Sequence, residues 1–166
     1  IGDALQLGKP KQVYFYEQPW LKKTRQLWAG QYTLLGKESP TRYMRGLWND
    51  APKSTTVSHH LSHAAAGYYT SSFNDAAVLV MDSIGEWNTI TIWEGRDGEL
   101  TRKFSQNYPH SVGIWYSAMT QRIGLQPQIQ EHIVSEMALV GNSDRYYELI
   151  KSEFIKKMPS TSDPRL

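Results

Sequence analysis

The chain has 166 residues, 40% hydrophobic and 20% charged, with six Trp, ten Tyr and no Cys. That composition can bury a core, which argues against disorder, and the missing cysteines exclude disulfides and thiolate metal sites. The formal charge is only +2 but unevenly placed: residues 1–58 carry nine Lys/Arg against four Asp/Glu, and residues 59–166 carry nine against twelve.

No apolar run is long enough to span a membrane and no signal-peptide pattern opens the chain, so a cytoplasmic protein is expected. Ile at the start and Asp-Pro-Arg-Leu at the end read as a piece of a longer frame.

In chain order, "QVYFYE" (12–17) is β-favouring and apolar on both alternations, which predicts a buried strand. Pro19 opens a helix where its missing N–H costs little. The helix is predicted to run to about Leu35, with "GKESPTRY" (36–43) as its exit loop. Lys22, Lys23 and Arg25 stand beside Trp20 and Trp28, a combination that suits nucleic acid or phosphate. No recognised nucleic-acid motif accompanies them, however, and Leu21, Trp28 and Leu35 recur every seven residues. The stretch therefore reads as the wet face of an amphipathic helix, and nucleic acid is not expected as a partner. "KSTTVS" (53–58) is a short second strand, and Ser58 is placed to cap the helix that opens with the histidines. Strand, helix, strand, helix is the α/β alternation of a largely parallel sheet.

After "TSSFND" (70–75) the grammar changes. "AAVLVMD" (76–82) reads as a buried strand, "NTITIWEG" (88–95) as its alternating partner, and Asp97-Gly98 as a hairpin turn into "ELTRKFSQ" (99–106). "SVGIWYSAMTQRIG" (111–124) is a helix with Ser111 as N-cap and Gly124 as terminator. Helices near Glu131–Val140 and over Asp144–Lys157 follow. The predicted division is 1–72 as the close of one ribonuclease-H-like lobe, 73–158 as the start of a second, and 159–166 as loop or tail.

Three of the five histidines fall within "HHLSH" (59–63). On a helix His59 and His63 share a face with Cβ atoms about 5–6 Å apart, close enough for both imidazoles to reach one divalent ion. His60 points roughly 100° away and cannot easily join them. The zinc-protease pattern H-E-x-x-H fails at its second position, where His60 replaces the general base, so peptide hydrolysis is a poor reading. Asp82 closes an otherwise apolar strand, and the crevice beyond the carboxyl ends of strands is where open α/β sheets bind ligands. His59, His63 and Asp82 together would suit iron(II), manganese or zinc. A lone H-x-x-x-H also occurs as two structural histidines, and from spacing both readings stand.

The stretch from His59 to Gly95, "HHLSHAAAGYYTSSFNDAAVLVMDSIGEWNTITIWEG", followed by "YPHSVGIWYSAMTQRIG" (108–124), resembles the NodU/CmcH family of O-carbamoyltransferases, relatives of the tRNA threonylcarbamoyladenosine ligase. The resemblance covers about residues 57–141. It implies a tandem actin-like fold in which His59, His63 and Asp82 bind a divalent metal, usually iron, with a further aspartate ligand beyond residue 166. It also implies a C-terminal YrdC-like domain that makes carbamoyl-adenylate from carbamoyl phosphate and ATP. The actin-like part then passes the carbamoyl group to a hydroxyl of a small-molecule acceptor. Asp82 and Glu86 take catalytic roles in this reading, and Ser83, Gly85, His110 and Ser111 contact substrate. Each has a plainer alternative: a hairpin turn around Gly85 and Glu86, an exposed loop histidine at His110, a simple N-cap at Ser111. One segment departs from the family pattern. "QEHIVSEMALVG" (130–141) keeps Glu131, Ala138 and Gly141 but has Glu136 where the family tends to glycine.

Such a fragment is not expected to turn over carbamoyl phosphate alone. Two further readings stand beside the transferase: a threonylcarbamoyl-transfer relative acting on tRNA, and a non-catalytic actin-like binding module. A dinucleotide-binding oxidoreductase is disfavoured, because no G-x-G-x-x-G follows either N-terminal strand.

Overall fold

The computed structural model describes residues 10–30, 44–46, 52 and 54–154. Two short strands, β1 (Val13–Phe15) and β2 (Ser54–Thr56), pair in parallel with Val13 opposite Ser54 and Phe15 opposite Thr56. Helix α1 (Pro19–Trp28) follows β1 and has its proline in the first turn, as expected. It ends well before Leu35. Ala29 caps it and Gly30 takes φ 70°, the left-handed turn that stops a helix, which outranks the seven-residue recurrence. Leu35 and the predicted exit loop lie outside the described residues.

Strand β1 is not buried as its composition predicts: Tyr14 is 66% exposed. Burial on both alternations needs a layer on each face, and among the described residues β1 pairs only with β2.

Helix α2 (His59–Tyr69) leads into a three-stranded antiparallel meander of β3 (Ala76–Gly85), β4 (Asn88–Arg96) and β5 (Glu99–Asn107). The β4–β5 turn is the predicted Asp97-Gly98 pair, with φ of 50° and 78°. Two left-handed residues are what a type I′ hairpin requires to match strand twist. The helix lies on β3 and β4, and the core forms between them from Ala64, Val80 and Trp93, with Leu61, Val78 and Leu100 packed against it. Strand β3 therefore alternates. Val78 and Val80 face the helix, while Leu79 and Met81 point away and are 56% and 62% exposed. The continuous apolar run predicts burial on both faces, whereas α2 covers only one.

Helix α3 (Val112–Arg122) begins at Ser111, whose Oγ accepts the Ile114 N–H at 3.1 Å, and stops before Gly124 at φ 88°. It packs against β3 and against α4 (Glu131–Ala138). The last described helix is α5 (Asp144–Phe154), and the predicted tail lies outside the described residues. The result is a mixed α/β fold with one parallel and one antiparallel sheet. Among the described residues no helix is long and apolar enough to cross a membrane.

Candidate metal centre

His59 is the first residue of α2 and His63 stands one turn later, so both rings leave the same face. The third group comes from β3. Its regular ladder with β4 runs to Met81 opposite Ile90, slips, and re-forms only at Gly85 opposite Asn88. Asp82 sits in that irregularity. The strand thus continues three residues past the predicted end, while its regular pairing stops at Met81, one residue short of that end. Bulges of this kind re-aim side chains beside functional sites.

The three side chains converge. His59 Nε2 lies 2.8 Å from Asp82 Oδ2 and 3.0 Å from His63 Nε2. One ligand atom from each residue falls within 4.8 Å of the others. The Asp82 hydrogen bond raises the His59 pKa above its ordinary value against the opposing effect of burial, and the same bond lowers that of Asp82. The Ser83 N–H donates to the second Asp82 oxygen, Oδ1, at 2.6 Å, which fixes the carboxylate plane.

The donor set fits a divalent cation. With its proton on Nε2, His59 can serve the Asp82 oxygen or the His63 nitrogen but not both, and with its proton on Nδ1 three lone-pair atoms converge unshared. A cation would satisfy all three, and mixed imidazole and carboxylate ligands suit iron(II), manganese or zinc. His59 Nδ1, which would carry the ring proton with a cation on Nε2, is buried without a hydrogen-bond partner among the described residues.

His60 stays out of the cluster, as its helical phase predicts. It is 2% exposed, and its Nδ1 meets Thr91 Oγ1 at 2.9 Å. Trp93 Nε1 donates to the same hydroxyl at 2.8 Å, so Thr91 Oγ1 ties the His60 ring to Trp93. Burial lowers the His60 pKa and favours the neutral ring. Sequence reasoning assigned neither Thr91 nor Trp93 to this anchor, because it crosses from helix to sheet.

Gly85 lies directly against the histidines: a Cβ there would stand 2.5 Å from His59 Cδ2 and 2.6 Å from His60 Cδ2. Glu86 follows at φ 60° and is buried. The Gln18 N–H donates to its Oε1. Burial nevertheless raises the Glu86 pKa. Ser58, the predicted cap of α2, makes no side-chain capping bond.

The other predicted residues lie around this centre in more ordinary settings. Ser83 is exposed at the irregular end of β3. The Ser111 hydroxyl donates to the Ser83 carbonyl at 2.7 Å while capping α3, which commits it to the backbone. His110 is exposed, and its carbonyl accepts from Gln106 Nε2 at 2.9 Å. Glu131 accepts from Ser117 Oγ at 2.6 Å, tying α4 to α3, and that bond lowers its pKa. Glu136 is exposed on α4.

Two features had no counterpart in the sequence reading. Tyr16 places its ring 5.5 Å from that of His59. Trp28, at the end of α1, meets Trp87 at 5.9 Å and Tyr108 at 5.7 Å between ring centroids.

Residues 30–161 match the family model described as Carbamoyltransferase N-terminus. An uncharacterized protein of Synechocystis sp. is 39% identical over 101 residues, covering 61% of this chain and 16% of that protein. An uncharacterized protein of Methanocaldococcus jannaschii is 26% identical over 112 residues, covering 58% of this chain and 18% of the relative. The matched part of the chain thus spans less than a fifth of the length of either.

Proposed function

The chain belongs to the carbamoyltransferase family, and from that premise we propose that it supplies the metal-holding wall of an O-carbamoyltransferase of the NodU/CmcH type. The observation that carries this reading is the convergence of His59, His63 and Asp82. A tandem actin-like architecture belongs to the same proposal. Strands β1 and β2 with α1 and α2 would close one lobe, and the β3–β5 meander with α3 would open the next.

The donor in this reading is carbamoyl-adenylate, made from carbamoyl phosphate and ATP by a YrdC-like domain elsewhere in a longer polypeptide. The acceptor is a hydroxyl group of a small molecule. In the transfer, the hydroxyl oxygen bonds to the carbamoyl carbon and the bond from that carbon to the adenylate oxygen breaks. AMP leaves with the electron pair, and the hydroxyl proton passes to water or a base. Iron(II), manganese or zinc bound at the centre would supply Lewis acidity to the carbamoyl carbonyl. His59 and His63 contribute neutral nitrogen ligands, and Asp82 offsets the charge. The Ser83 N–H keeps Asp82 oriented toward the histidines.

The test is a labelled-carbamoyl assay on the full reading frame that contains this chain, comparing parent with Asp82→Asn. Label should move from carbamoyl phosphate to a hydroxyl acceptor in the parent, with transfer reduced about tenfold to a hundredfold or more in the variant. Equal transfer by both would refute the assigned role of the centre.

A further inference from the structure

Glu86 is 5% exposed and occupies a two-residue turn at φ 60°, a conformation that non-glycine residues adopt rarely. Residues held this way persist where the surroundings over-determine them, and such positions cluster at functional sites. Among the described residues no lysine or arginine pairs with its carboxylate. The neighbouring buried carboxylate, Glu17, is paired instead with Lys22 at 2.9 Å.

What the Glu86 side chain meets is backbone. Gln18, the N-cap residue of α1, gives its N–H to Oε1, and the turn that carries Glu86 lies against His59, the first residue of α2. Helix starts carry unpaired N–H groups and the positive end of the helix dipole, so a carboxylate is favoured at the start of α1. Gly85, with no side chain, lets the turn approach until its own backbone touches the His59 and His60 rings.

We infer that Glu86 is a positioning residue for the metal centre: its buried carboxylate fastens the β3–β4 turn to the start of α1, and through Gly85 that turn braces His59 at the start of α2. The inference rests on reading His59, His63 and Asp82 as ligands. Among the described residues the Glu86 carboxylate makes no hydrogen bond to the converging ligand atoms. It acts through the helix that carries two of them.

The test uses cobalt(II) as probe on the whole chain, with Kd taken from its visible absorption, alongside hydrogen exchange at the His59 amide without metal. Parent, Glu86→Gln, Glu86→Ala and Gly98→Ala are compared. Gly98 lies in the hairpin at the other end of α2, where its carbonyl accepts from Tyr69. Alanine there meets no neighbour within 4 Å but is strained at φ 78°, so it lowers stability without reaching the centre. The expected result is a Kd about tenfold or more weaker in Glu86→Ala and a partial recovery in Glu86→Gln, whose amide oxygen still accepts. His59 exchange should quicken in the same order, and Gly98→Ala should keep the parent Kd. If Glu86→Ala does not fold, Glu86→Gln carries the comparison. Folded variants with the parent's Kd and exchange overturn the inference, as does equal weakening by Gly98→Ala. A parent that takes up no cobalt(II) overturns the ligand assignment and the positioning role with it, whereas equal binding by parent and variants overturns the positioning role alone.

Discussion

Replacing Gly85 with alanine is the smallest change that should force the histidine helix away from the β3–β4 turn. The added Cβ would stand 2.5 Å from His59 Cδ2, 2.6 Å from His60 Cδ2 and 2.9 Å from His60 Nε2. Carbon atoms in good contact sit about 3.5–4.0 Å apart, so the site is short by roughly 1 Å. Neither ring can swing clear. His60 is buried and bonded to Thr91, and His59 is held between Asp82 and His63. The backbone of α2 or of the turn must therefore take up the strain. Overpacking of this kind costs about 1–3 kcal/mol, and with two rings struck the upper half of that range is expected. For a chain of this size each kcal/mol moves Tm by about 2–4 °C, which places the fall at about 4–12 °C. The assay is thermal and urea unfolding of Gly85→Ala beside Gly98→Ala. The second substitution meets no atom within 4 Å and carries only the cost of a left-handed residue, about 1–2 kcal/mol. Gly85→Ala should be the less stable of the two by about 1 kcal/mol. If it is as stable as Gly98→Ala or more so, the close approach of turn and histidines is not what it has been taken to be.

Two further effects should appear in the metal-free chain. Burial lowers the His60 pKa from its ordinary value of 6.5, so the unfolded chain binds that proton first on acidification. The stability from neutral His60 is complete above that ordinary value and is lost as pH falls toward the folded one. Urea midpoints should therefore fall less steeply on acidification in His60→Gln than in the parent, and parallel curves would contradict this. His59, whose pKa is raised by Asp82, has the opposite sign: its contribution is complete below the ordinary value and is lost as pH rises through the raised folded value. Ser111→Ala removes both the acceptor for the Ile114 N–H and the donor to the Ser83 carbonyl. It should cost about 1 kcal/mol in urea unfolding, with Ser111→Thr recovering much of it, and an unchanged midpoint in Ser111→Ala would refute the capping role.

Features set by neighbouring residues were legible in the sequence. Ser111 and Gly124 bracket α3 because a cap and a left-handed stop act within one turn, and Asp97-Gly98 makes its hairpin for the same reason. His59 and His63 were legible from their spacing, and Asp82 from being an acid at the end of an apolar run. Burial was less legible. An apolar strand reads alike whether one face is covered or both, and in β3 the helix α2 covers Val78 and Val80 while Leu79 and Met81 stay exposed. Helix α1 overran in prediction because the recurrence of Leu21, Trp28 and Leu35 says nothing about Gly30 turning left-handed. The anchoring of Glu86 was illegible for a different reason. Its partner is the backbone N–H of Gln18, remote in sequence, and backbone donors leave no mark on residue type.

The most direct measurement of the central claim is the metal content of the chain after anaerobic loading with iron(II) and removal of excess ion. Parent, His63→Ala and Asp82→Asn should be compared side by side. Three protein ligands with water completing the shell are enough to hold a catalytic ion. The account predicts about one ion per chain in the parent and only traces in both variants. Equal content in all three proteins would contradict it.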